Sequence, residues 1–261
     1  MKNILKEIVD KRKETVKKLK SIVPMQAWEM MPLFDRDCLS LKENLLDESL
    51  TGIIAEFKRA SPSKGDINVR ADLFDVVTAY ELNGASAVSV LTEPIYFKGN
   101  SDDIMSIAGS MTIPVLRKDF IFDKYQVTES KAIGADVILL IAACLTPIQV
   151  KELSAYAGSI GLESILEIHN EDELNHICDE VDMVGVNNRN LKTFEVDINT
   201  SLQLIDKIPV GKPAIAESGI NSIDTIVTLR QAGFKGFLIG EKFMKEEDPG
   251  KAFENFINQL K

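Results

Sequence analysis

Five short runs of this sequence end in side chains that can move protons. IIAEFK (53–58) closes on Glu56 and Lys58, and LRKDF (116–120) carries Lys118. LEIH (166–169) contributes Glu167, NNRN (187–190) Asn187 and Arg189, and AES (216–218) Glu217 and Ser218. Carboxylates and lysines of this kind serve general acid–base chemistry. The two histidines, His169 and His176, are separated by acidic, loop-like sequence. That spacing argues against a two-histidine metal site and leaves proton transfer to Glu, Asp or Lys. Three carboxylates and two lysines crowded into a low-dielectric mouth, with Arg189 nearby, would push their pKa values apart and let an acid and a base coexist near neutrality. Structural ion pairing is the competing explanation for any single pair, but agreement among five run ends favours catalysis.

The elements that must position these groups follow one grammar from residue 52 onward. Eight short β-branched or apolar runs are each followed by polar residues and a helical pattern: 52–58, 85–92, 113–119, 135–141, 163–168, 183–188, 213–218 and 236–240. Near-continuous apolar runs alternating with helices predict buried parallel strands joined by right-handed crossovers. Eight such units predict an α/β fold, a (β/α)8 barrel. Gly84, Gly134 and Gly233 stand where helices would end before the next strand. An open doubly wound sheet is disfavoured, because no G-x-G-x-x-G follows the first run. Barrel sites sit at strand C-termini. Side chains two apart share a face, so Glu56 pairs with Lys58, Leu116 with Lys118, Ile165 with Glu167 and Ile215 with Glu217. If the apolar member points inward, the charged one does too.

Length and charge bound the rest. A chain of 261 residues suits one barrel of roughly 250 residues. Its formal charge of −10 argues against nucleic acid or a membrane surface as partner. Residues 1–20 hold eight Lys/Arg and three acids, a local +5 that leaves −15 for the remainder. Within residues 3–20, Ile4, Leu5, Ile8, Val9, Val16 and Leu19 recur at helical spacing, which predicts a one-faced surface helix. MQAWEMMPLF (25–34), with the only tryptophan, predicts a short helix or cover segment. Cys38, Cys144 and Cys178 lack CxxC spacing, which fits a reducing cytoplasm and neither a disulfide framework nor a zinc site. The start is charged from Lys2, without a signal-peptide pattern, and no apolar run approaches the roughly 18 residues of a membrane span.

A second chemistry is phosphate binding. Ser61, Ser63 and Gly65 follow the first run, Ser218 and Gly219 the seventh, and Gly240 the eighth. Hydroxyls and free backbone N–H groups after strands 7 and 8 form the recurrent barrel phosphate cradle. Phe97, Phe120 and Leu191 follow runs 2, 3 and 6, where they could wall an aromatic substrate, although such residues more often pack loops. On residues alone, a Schiff-base aldolase also suits a barrel lysine beside carboxylates and a phosphate cradle. A barrel that binds a phosphorylated ligand without catalysis is the remaining alternative.

At these motifs the chain closely resembles the indole-3-glycerol phosphate synthase family. The likeness rests on IIAEFKRASPSKGDI (53–67), SVLTEPIYFKGN (89–100), PVLRKDFI (114–121), ILEIHNEDEL (165–174), GVNNRNLKTFEVD (185–197), AESGI (216–220) and LIGEKFM (238–244). The resemblance implies ring closure, decarboxylation and dehydration of 1-(2-carboxyphenylamino)-1-deoxyribulose 5-phosphate, with no cofactor. It implies Lys118 as the acid for ring closure, Glu167 and Glu56 as the acid–base pair of dehydration, and Lys58 as the holder of anionic charge and a proton donor to that step. Asn187 and Glu217 would orient substrate and carboxylates, with Arg189 in support. Ser61, Ser218, Gly219 and Gly240 match the phosphate positions, and Phe97, Phe120 and Leu191 the wall around the anthranilate ring. Glu241 and Lys242 stand where members often carry small hydroxyl residues, which shifts phosphate binding there toward backbone N–H groups. The resemblance also implies one barrel domain over residues 1–261, with residues 1–48 as a helical extension covering the catalytic face. A small phosphorylated substrate and association with other tryptophan-pathway enzymes complete the expectation.

Overall fold

A computed structural model describes residues 4–191 and 193–260; Asn3 of the expected first helix lies outside the described residues. Eight parallel strands close a barrel: β1 (Ile53–Phe57), β2 (Ala87–Leu91), β3 (Val115–Lys118), β4 (Val137–Ile141), β5 (Glu163–Ile168), β6 (Met183–Asn187), β7 (Ala214–Glu217) and β8 (Gly236–Ile239). Each pairs with its sequence neighbours, and β8 returns to β1 through Ile54 against Leu238. The expected runs overlap these strands one for one.

Alternation along the strands divides the core in two. Ile53, Ala55 and Phe57 face the surrounding helices, whereas Ile54 joins Leu116, Ile165, Met183, Ile215 and Leu238 inside the barrel. The inner layer is apolar toward the strand N-termini and becomes polar at their C-termini, so the site floor is a packed hydrophobic plug.

Helix starts follow local capping. The side chains of Asp72, Asn100, Asp123 and Ser222 accept backbone N–H groups at the starts of α4 (Leu73–Leu82), α5 (Ser101–Ile107), α6 (Lys124–Ala132) and α9 (Ile223–Ala232), while Thr146 and Gln149 form a capping box at α7 (Pro147–Ser159). Beyond α7 come α8 (Asn199–Leu204), α10 (Glu241–Met244) and α11 (Pro249–Ile257). The repeat departs from the expected pattern after β5, where a 3-10 turn at Glu171–His176 replaces an α-helix. Within that turn Leu174 packs on the core, followed by Ile177 and Cys178, too narrow an apolar stripe for a longer helix.

Residues before β1 divide their work between the two ends of the barrel. α1 (Ile4–Ile22) buries Ile8, Val9, Arg12 and Val16 and lies at the mouth, where Ile4, Leu5 and Ile8 line the cavity. α2 (Met25–Glu29) stays on the flank, with Trp28 packed edge-on against Tyr125 of α6. α3 (Leu41–Leu46) closes the opposite end, sending Leu41 and Leu45 into the inner core. It is fixed there by Glu163, which accepts the Leu41 N–H at 2.8 Å and the Ser40 hydroxyl at 2.5 Å. Of the extension expected over the catalytic face, α1 lies at the mouth, Trp28 is drawn to the flank by Tyr125 and α3 to the base by its apolar pair. No helix among the described residues is long and apolar enough to cross a membrane.

Candidate active site

Lys118 ends β3 inside the barrel, its side chain 14% exposed. It donates to Glu217 of β7 and lies 3.5 Å from Glu167 of β5. Burial opposes its ammonium charge, but the carboxylates of Glu217, Glu167 and Glu56 outweigh that and raise its pKa. Arg117 and Asp119, its neighbours, alternate outward. There Arg117 is fully buried among Thr92, Ser130 and Glu129, and Asp119 accepts from Thr92 at 2.6 Å. The outward network leaves the β3 end little freedom, so Lys118 is aimed by its backbone.

Glu167 and Glu217 have diverged. Burial alone would raise both. At Glu167 the charges of Lys118 and His169, with an Asn187 amide donor at 3.2 Å, reverse the effect and hold the carboxylate well below its usual range. At Glu217 burial prevails with help from the neighbouring Glu167 charge, and the carboxyl is raised to about 7. Its Oε1 is buried with no hydrogen-bond partner among the described residues. A buried acceptor left open in a mouth is suited to a substrate hydroxyl. An ionised carboxylate, a neutral or half-ionised one and an ammonium ion therefore stand within one cluster, equipped to take a proton at one atom and give one at another.

Two glycines, one on β6 beside β7 and one just past β8 beside β1, make this crowding sterically feasible. A Cβ on Gly185 would sit 2.4 Å from Glu217 Oε1, and one on Gly240 2.5 Å from Glu56 Oε1. Gly240, expected as a phosphate position, also gives Glu56 its room. Glu56 in turn accepts from Lys58 at 2.6 Å.

The cluster opens on two adjoining hollows. The inner one, about 170 Å³, is walled by Phe97, Phe120, Leu191 and the apolar face of α1 above Lys118, Glu167, Asn187 and Ser61. Phe97 and Phe120 pack with ring centroids 6.2 Å apart. The second, about 460 Å³, is bounded by Lys64, Arg189, Ser218, Gly219, Gly240 and Lys242, and it shares Glu56 and Lys58 with the first. Ser218 holds φ +65, a left-handed conformation a serine rarely adopts, at the rim of this hollow. Arg189 and Lys64 approach Glu241 at 3.7 and 3.5 Å, which draws that carboxylate toward cations. Every site residue expected from the sequence other than Gly65 lines one hollow or the other. Gly65 does not; it pairs with Ser61 in a small antiparallel ribbon of Ala60–Ser61 and Gly65–Asp66.

Sequence reasoning passed over three contributors. His169 lies 3.1 Å from Glu167, and the alternation that put Glu56 beside Lys58 would have put it there too. Arg12 bonds Asp119 through Nε at 2.9 Å and Nη2 at 2.6 Å, fastening α1 over the mouth across a sequence separation that no local pattern reveals. Gly185 carries no sequence signal beyond its residue type. No group of three or more His, Cys, Asp or Glu among the described residues is placed to hold a metal ion.

The profile of the indole-3-glycerol phosphate synthase family matches residues 5–256. Relatives bearing that name include one from Bacteroides thetaiotaomicron, 41% identical over the whole of both chains. One from Salinibacter ruber is 44% identical over 96% of this chain and 93% of its own. Among solved structures, a mutant tryptophan synthase alpha-subunit from Pyrococcus furiosus superposes with a TM-score of 0.61 at 17% identity, covering 80% of this chain and 97% of its own. At that identity the likeness concerns the barrel fold alone.

Proposed function

The chain belongs to the indole-3-glycerol phosphate synthase family, lyases of tryptophan biosynthesis, and on that premise we propose how its mouth divides the work of the reaction. The substrate, 1-(2-carboxyphenylamino)-1-deoxyribulose 5-phosphate, carries an aromatic carboxylate at one end and a phosphate at the other. Its anthranilate ring fits the apolar inner hollow beneath α1. Its phosphate fits the second hollow, against the Ser218 and Gly219 loop and Gly240, with Lys64, Arg189 and Lys242 supplying positive charge and Ser61 lining the adjoining inner hollow.

The observation that carries this reading is Lys118, buried between Glu217 and Glu167 in the inner hollow, which shares Glu56 and Lys58 with the second. As the ring carbon attacks the substrate ketone, a proton must reach the ketone oxygen, and the Lys118 ammonium is the donor. Carbon dioxide then leaves and the ring regains aromaticity. For the dehydration, Glu167 is the base, since its neighbours keep it ionised. Lys58 donates to the departing hydroxyl, with Glu56 holding the lysine in place. Asn187 and Glu217 orient the substrate hydroxyls and the Glu167 carboxylate. α1 acts as a cover that keeps water from the inner hollow. A cytoplasmic setting and association with other tryptophan-pathway enzymes extend the proposal.

Mixing the protein with this substrate, without added metal or nucleotide, and following indole fluorescence with carbon dioxide release tests it. Saturable turnover is the expected result. A folded protein that forms no product, yet is trapped by borohydride as a covalent adduct at Lys118 or Lys58 with a keto phosphate, would establish Schiff-base chemistry instead.

A further inference from the structure

His169 follows Glu167 by two residues and leaves the strand on the same side, its side chain 9% exposed. Its Nε2 lies 3.1 Å from Glu167 Oε1, a charge-pair separation outside the alignment of a formed hydrogen bond. Its Nδ1 lies 3.2 Å from Glu173 Oε2, and that same oxygen accepts the His169 backbone N–H at 2.7 Å. The other Glu173 oxygen accepts from Asn170 at 3.1 Å. Neither His169 nor Glu173 lines the hollows, so the imidazole cannot touch substrate. The turn after β5 is already tied by the backbone of His169 and the amide of Asn170. An imidazole is not needed for that purpose, yet its far nitrogen points past the turn at the carboxylate.

We infer that His169, anchored by Glu173, is a positioning residue that fixes the Glu167 carboxylate and holds it ionised for proton abstraction. This rests on the reading of Glu167 as the base. The arrangement places a cation between two acids, with the same logic that lets a buried carboxylate orient a catalytic imidazole, here reversed. Burial disfavours the imidazolium, but Glu167 and Glu173 raise the histidine to about 10. The remaining groups facing this pair are few. Lys118 on β3 meets the other oxygen of Glu167, and Asn187 on β6 donates to Oε1. Glu217 on β7 lies beyond Lys118. Cys144, after β4, is kept neutral by burial, which pushes its thiol up to about 12, and Lys13 of α1 acts on it from above.

The test is His169→Gln, with Glu173→Gln as the second variant, each checked for fold by circular dichroism. Carboxyl 13C NMR of the protein without substrate, with Glu167 assigned through Glu167→Gln, reads the ionisation directly. In H169Q the Glu167 midpoint rises by about one pH unit, and kcat falls by about tenfold with KM within about threefold. E173Q moves the midpoint in the same direction by less. A midpoint and a kcat profile identical to wild type in folded H169Q, or in E173Q where H169Q does not fold, overturn the inference. Absence of turnover by the wild-type protein would overturn the reaction assignment alone, because the NMR midpoint still decides what His169 does to Glu167.

Discussion

At the scale of single residues, the site works by holding like groups in unlike states. Lys118 is shared by two carboxylates, one stripped of its proton and the other close to keeping it. Replacing Lys118 by alanine removes the proposed donor and leaves the second hollow, which Lys118 does not line, intact. The expected outcome is a fall in kcat of at least ~10²-fold with substrate affinity within a few-fold, measured by steady-state kinetics and equilibrium binding. Glu217, raised to about 7, is neutral below that pH and anionic above it. Its ionisation tightens the grip on the Lys118 ammonium and makes it a poorer acid, so kcat falls as pH passes through about 7. Glu217→Gln, permanently neutral, is expected to abolish that descending limb, and a pH profile with the limb intact would assign it to another group. The gathering of these groups at one mouth was legible because charged residues closing apolar runs are rare and period-two alternation fixes their face. Gly185 was not, because its importance comes from strand register: Asn187 lies opposite Glu217, which brings the glycine of the same strand under that carboxylate. His169 was legible in principle, but the distance to His176 directed attention to metals and away from Glu167.

At the scale of elements, α1 is held over the mouth by one dominant contact. Arg12 and Asp119 are both buried, and the carboxyl is lowered to about 2: burial opposes the charge, but Arg12, Arg117 and Thr92 overcome it. A folded-state value below the usual Asp value of about 4 stabilises the protein above pH ~4, and that stabilisation is lost as pH falls toward 2. Arg12→Met removes the clamp and leaves Asp119 with Arg117. The variant is expected to begin acid unfolding at a higher pH than wild type, by circular dichroism, and to raise KM more than it lowers kcat. An unchanged KM would show that α1 does not shape the inner hollow. Amphipathic spacing in residues 4–22 was plain in the sequence. Its docking site was not, since one apolar stripe with a buried arginine fits any face offering apolar surface and an acid. The same limit explains why Trp28 was expected over the mouth: a large aromatic announces burial, not location.

At the scale of the molecule, polar chemistry at one end depends on apolar closure at the other. Leu41 and Leu45 of α3 continue the inner layer of Ile54, Leu116, Ile165 and Ile215 below the floor of the site. Leu45→Ala opens a void there and is expected to cost about 2–5 kcal/mol of stability by denaturant unfolding while leaving kcat near wild type. A large kcat loss at unchanged stability would mean that the base communicates with the mouth. Eight runs with helices between them made the barrel itself readable, because parallel strands buried on both faces admit few other closures. The 3-10 turn after β5 was less so, because three acidic residues there resemble a solvated helix face until the spacing to the core is known.

The docking points of the extension also govern the order in which the molecule can be built. Arg12 meets Asp119, Arg36 meets Asp136 at 2.6 Å, and Ser40 meets Glu163, partners 107, 100 and 123 residues further along the chain. During synthesis the first fifty residues emerge with no partner to bind, and their apolar stripes must wait for β3 to β5. Loop closure over such separations is entropically slow, so the strap is expected to dock on a partly formed barrel late in folding. A nascent chain would meanwhile expose residues 1–20 with their +5 charge, a basic amphipathic segment whose retention by chaperones would follow from the same residues that later roof the mouth.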